Sequence, residues 1–121
     1  MINLQNKYDL EQRTMDFSDK LVTFLKKCPQ NIITIPLINQ CLRSGTSVGA
    51  NYREANGASS KKDFQNKIYI CKKESKETLY WLELIGKSLD EEKLREECRN
   101  LWSEIKQLML IFSKIASSTN V

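Results

Sequence analysis

Four stretches of this chain place their apolar residues at alternating steps of three and four, and that spacing constrains the fold more than any other feature. Leu10, Thr14, Phe17, Leu21, Phe24 and Cys28 set the first register, and Ile38, Cys41, Gly45, Val48, Tyr52 and Ala55 set the second. Phe64, Ile68, Cys71, Ser75, Thr78, Leu82, Ile85 and Leu89 set the third; Leu94, Cys98, Leu101, Ile105, Leu108, Phe112 and Ile115 set the fourth. A mean step near 3.6 returns side chains to one face of an α-helix, so each stretch presents a single apolar stripe. Pro29, Pro36, Gly57 and Gly86 fall at the breaks, while Gly45 and Gly49 stand inside the second stretch. Thr34 before Pro36, Ser60 three residues ahead of Asp63, and Asp90 leading Glu91 and Glu92 are helix-start signals. The run IITI at 32–35 is the one strand-like segment, too short and isolated to pair. The expectation is an all-α, antiparallel up-down-up-down four-helix bundle, a single domain over 1–121 with helices at about 7–28, 35–56, 60–86 and 90–117.

At 121 residues, 40% hydrophobic and 28% charged, the chain is long enough to bury one core. No apolar run approaches the roughly 20 residues that span a bilayer, so no membrane is expected and the cytoplasm is the expected compartment. Cys28, Cys41, Cys71 and Cys98 form no C-x-x-C pair and sit at or beside apolar helical positions, which reads as reduced core thiols with no metal site. The chain has no histidine. That removes the commonest general base at neutral pH and most catalytic zinc sites, so no enzyme activity and no cofactor are expected.

The second stretch holds the small-residue run Ser44 to Ala50, whose two glycines each cost a helix about 1 kcal/mol relative to alanine. Close approach of a neighbouring helix would offset that cost. GTSVGAN lacks the lysine and flanking strand of a phosphate-binding loop. Polar residues half inside a bundle need partners. Arg43, Ser44, Ser47, Asn51 and Glu54 on the second helix are therefore expected to meet Glu74 and Glu77 on the third in a network that fixes register. The rival reading makes Glu54 and Glu74 a carboxylate pair acting as acid and base or holding a metal.

Charge is uneven. Residues 43–76 carry eight basic side chains against three acidic ones, a local net of +5 that leaves the rest of the chain near neutral in a protein of net +4. On the third helix Lys62, Asn66, Tyr69, Lys73, Lys76 and Tyr80 recur by four and three on the face opposite the core. With Lys61 and Lys72 beside it, this stripe has the form of a surface that tracks phosphates and stacks bases. A solvated lysine face with tyrosines at a subunit contact explains it equally. Tyr80, Trp81, Trp102 and Met109 add apolar surface beyond one core's needs, which is expected at contacts between copies of the chain.

Arg43, Ser44, Ser47 to Asn51, Glu54, Ala55, Ser60, Asp63, Phe64, Lys67, Lys73, Glu74, Glu77, Thr78 and Tyr80 to Leu82 together resemble a known four-helix-bundle family. It is the family first noticed as reading frames in intervening sequences of bacterial 23S rRNA, related to the accessory variability protein of diversity-generating retroelements. The resemblance implies a homopentameric ring without catalytic activity and, in the retroelement branch, binding to nucleic acid and a reverse transcriptase. Gly45 and Ser75 depart from the residues usual in the family and the net charge is lower than the retroelement branch implies, which together favour a generic member. The expected function is a non-enzymatic homo-oligomer that associates with structured RNA or a ribonucleoprotein. The alternative is a protein-interaction scaffold, for example an accessory subunit of a reverse transcriptase, that does not touch nucleic acid.

Overall fold

A computed structural model describes the backbone of residues 4–118 and the side chains of residues 10–118; the outermost ends of the expected 1–121 domain lie outside the described residues. Four helices follow one another: α1 (Leu4–Lys27), α2 (Thr34–Asn56), α3 (Lys61–Lys87) and α4 (Glu92–Ser118). Each packs on its sequence neighbours and α4 closes on α1, so the bundle is a square of antiparallel rods, with the diagonal helices α2 and α4 meeting only through core side chains such as Tyr52 and Phe112, whose rings lie 5.8 Å apart. No strand occurs among the described residues. Of IITI, the exposed Ile32 and Ile33 form the turn that leads into α2, and Thr34 and Ile35 open the helix.

The stripes face inward. Phe17, Leu21 and Phe24 of α1, Cys41 and Val48 of α2, Ile68 and Leu82 of α3, and Ile105, Leu108 and Phe112 of α4 are almost wholly buried. Each large side chain so buried contributes on the order of 1.5–3 kcal/mol. Ile38, Phe64 and Ile115, at the stripe ends, are only partly covered.

The helix ends differ in detail from the sequence signals. Ser60 Oγ accepts from Asp63 N at 3.0 Å, as a capping residue should, but Asp63 Oδ2 turns to Ser59 N at 3.4 Å and not to Ser60. At α2 the cap is not Thr34. Asn31 Oδ1 accepts from the backbone N–H of Ile33 and Thr34 at 2.9 and 3.0 Å, and Thr34 Oγ1 accepts in return from Asn31 N at 3.0 Å. α4 begins at Glu92 and leaves Asp90 outside, because the connection bends inward to bury Leu89 before Arg95 N reaches Glu91 O.

Candidate functional site

α3 presents the expected stripe outward. Lys62, Asn66, Lys73 and Lys76 are exposed, and Tyr69 and Tyr80 are 46% and 56% exposed. Lys61 is exposed in the first turn and Lys72 is half-buried on the flank toward α4. Among the described residues, none of Lys61, Lys62, Lys72, Lys73 and Lys76 stands in an ion pair. Lys67 differs: it lies off the ridge, its Nζ is 2.7 Å from Glu54 Oε1, and that bond raises its pKa. Five lysines on or beside this face thus lack an ion-pair partner.

The polar network expected between α2 and α3 is present in part. Arg43 donates through Nη1 to both Glu74 oxygens at 3.3 and 3.4 Å and through Nη2 to Glu77, while its Nε bonds Gln40 Oε1 at 3.0 Å. Trp81 Nε1 also donates to Glu77, at 2.9 Å. The indole first and Arg43 next hold the Glu77 carboxyl below its usual pKa, and Glu77 in turn raises that of Arg43. Beneath this layer Ser44 and Thr78 share a buried hydrogen bond of 2.8 Å. Because Thr78 donates to Glu74 O at 2.7 Å, it is left to accept from Ser44.

The other expected members stand apart. Asn51 donates to Ser47 O and Ser47 Oγ, both at 2.9 Å, so this pair closes on α2 alone. Glu54 turns to Lys67, and Glu74 to Arg43, so the two carboxylates are held by separate cations and do not form a pair. Thr78, Trp81 and Lys67 are partners that the spacing did not identify. Thr78 lies four residues beyond Glu74 on one stripe, which was the available signal for it.

The four cysteines are buried and free of disulfides. Burial raises the thiol pKa of Cys28 and Cys98 to about 11 and of Cys71 to about 12, and raises Cys41 as well. They are protonated near neutrality and are poor nucleophiles. Cys71 and Cys98 spend their S–H on the carbonyls of Val48 and Leu82. Among the described residues, no group of three or more histidine, cysteine, aspartate or glutamate side chains is arranged to hold a metal ion. No helix among them is long and apolar enough to cross a membrane.

The aromatic residues do not form one patch. Tyr80 and Trp81 meet edge-on, centroids 4.9 Å apart, and Trp81 is tied through Glu77 to the α2 side. Trp102 lies on the other flank of α3, its Nε1 bonded to Glu83 Oε2 at 2.9 Å and Lys106 Nζ 5.9 Å from the centre of its ring. Met109 packs half-buried against the core. Tyr80 stands on the exposed ridge of α3 with Trp81 on its α2 side, and Trp102 lies beyond the opposite flank.

Residues 6–112 match a family model described as 23S rRNA-intervening sequence protein. The crystal structure of a protein of unknown function from the S23 ribosomal protein family of Bacteroides thetaiotaomicron is 31% identical to this chain. That match has a TM-score of 0.75 and covers 88% of this chain and 96% of the other. No curated protein matches.

Proposed function

This chain belongs to the 23S rRNA-intervening sequence protein family, and from that premise we propose that it is a non-enzymatic, self-assembling bundle that associates with structured RNA through the outer ridge of α3. The observation that carries this reading is the set of five lysines without ion-pair partners, interleaved with exposed Tyr69 and Tyr80. From Lys62 to Tyr80 the ridge runs roughly 27 Å at 1.5 Å per residue, long enough to follow several successive phosphates while the tyrosines stack on unpaired bases. Reduced thiols fit work in the cytoplasm.

Filter binding against a structured RNA at two salt concentrations tests the proposal. If five lysines each engage a phosphate, affinity falls roughly 100- to 1,000-fold between about 50 and 200 mM salt. Lys73→Glu with Lys76→Glu should abolish binding at either salt. No binding at low salt, or binding unchanged in the double variant, would overturn the RNA reading and leave a protein-interaction scaffold as the better account.

A further inference from the structure

We propose that the cleft between the C-terminal end of α3 and the first half of α4 binds a small aromatic carboxylate. The cleft holds about 380 Å³, with buried Leu82 and Cys98 at its floor, Trp102 at one end and exposed Lys87, Arg95 and Arg99 around its rim. A concave space of this size between helices of a bundle is a usual setting for a small ligand. Gly86 keeps it open. That residue lies inside α3, one position before its end, and no glycine among the described residues has a positive φ, so neither a turn nor a left-handed cap calls for glycine there. A β-carbon at Gly86 would stand 3.3 Å from Cys98 Sγ, and a longer side chain would fill the cleft. Cys98 donates its S–H to Leu82 O at 3.3 Å, so the floor presents apolar surface. Trp102 is held by the bond from its Nε1 to Glu83 Oε2 at 2.9 Å, and an indole fixed in this way offers a flat ring a stacking partner that needs no further ordering.

Charge selects the other half of the ligand. Lys87 stands in no ion pair among the described residues. Arg95 Nε is held by Leu89 O at 2.9 Å, while its Nη1 keeps only a loose contact of 3.9 Å with Glu92. Arg99 Nη2 lies 3.1 Å from the same Glu92 carboxylate. Three cations thus face two carboxylates, Glu83 and Glu92, and one further negative charge balances the group. A carboxylate brings one charge and matches the planar guanidinium fork, whereas a phosphate monoester brings nearly two. Arg95 and Trp102 are roughly 10 Å apart along α4, so a ring against Trp102 and a carboxylate at Arg95 can belong to one small molecule. The inference is independent of the RNA reading, whose Lys73 lies roughly 20 Å along α3 from Lys87.

Proton–nitrogen correlation NMR of the full chain tests it, because the chain has two tryptophans and Trp102 is the one in the cleft. Trp81→Phe assigns the two indole N–H signals. With indolylacetate as the probe, the Trp102 signal should shift and saturate with a dissociation constant of about 1 mM or tighter, the scale for a ligand of about a dozen heavy atoms. The Trp81 signal should stay in place. Indole alone and acetate alone should each bind at least about tenfold more weakly. Gly86→Leu, with helicity verified by circular dichroism, should abolish the shift. Lys87→Glu, at an exposed position free of ion pairs, should raise the dissociation constant at least about threefold, and Lys73→Glu should leave it unchanged. No shift of Trp102 at about 10 mM probe, indole bound as tightly as its acid, or affinity unchanged in a folded Gly86→Leu or in Lys87→Glu would each overturn the proposal. So would a Trp102 shift produced by structured RNA and not by the probe, which would extend the RNA surface into this cleft.

Discussion

Gly45 and Gly49 show how much one residue's surroundings matter. In sequence they are equivalent, two glycines inside one helix. In the bundle a β-carbon at Gly45 would run into Leu21 Cδ2, with Phe17 Cε2 and Thr78 Cγ2 at 3.5 and 3.6 Å, whereas one at Gly49 would meet Thr14 Cβ and Oγ1 at 3.3 Å. Leu21 is fully buried and cannot swing aside cheaply. Overpacking at Gly45 should outweigh the gain in helix propensity, so Gly45→Ala is expected to lower stability by about 1–2 kcal/mol in urea unfolding. At Gly49 the two effects offset, and Gly49→Ala should stay within about 0.5 kcal/mol of wild type. A larger loss at Gly49 than at Gly45 would contradict the packing described for α1 against α2. The same locality governs Arg43, Glu77 and Trp81. Their side-chain types were legible, but that Arg43 and the Trp81 indole both donate to Glu77 Oε2 follows from how α2 sits against α3.

At the scale of the element, helix bodies were more legible than helix starts. The body is set by a stripe that the core must bury, and a one-residue shift would expose it. A start is set by whichever side chain reaches the free N–H groups, and several candidates lie within three residues of one another. Asn31 wins at α2 because its carboxamide reaches two N–H groups at once while Thr34 holds Asn31 N and, through its hydroxyl, Pro29 O at 2.6 Å. Asn31→Ala should therefore cost about 1–2 kcal/mol, and Asn31→Asp should retain most of that, since a carboxylate also accepts both bonds and suits a helix N-terminus. Thermal unfolding of the two variants checks this. Equal destabilisation by both would return the capping role to Thr34.

Across the whole molecule the four seams are not equal. α2 and α3 interlock through buried Ser44, Thr78 and Glu74 and close around Arg43. α1 and α4 flank a groove of about 560 Å³ with Arg13, Lys20, Glu97 and Glu104 at its rim and Phe17 and Leu101 among its lining. That seam is bridged by Arg13–Glu104 and Lys27–Glu97 at 2.9 and 2.6 Å, pairs that are partly solvated and contribute little each. Native-state hydrogen exchange should show α1 opening at lower free energy than α3, and the difference should widen with salt as these pairs are screened. Protection in α1 equal to that in α3 would refute the ranking.

The sequence by itself determined the fold class, the registers of all four stripes and the outward placement of Lys73 and Tyr69, because a period of three and four survives any arrangement of the helices around a core. It also fixed the protonated, inert character of the thiols once their burial followed from those stripes. Only the tertiary structure decided which polar groups meet: that Glu54 goes to Lys67 and Glu74 to Arg43, that Ser47 and Asn51 close on their own helix, and that Trp81 and Trp102 lie on opposite flanks of α3. Such pairings depend on the rotation and axial offset of one helix against the next, set by the sum of many core contacts and not readable from the spacing along any one strand of sequence.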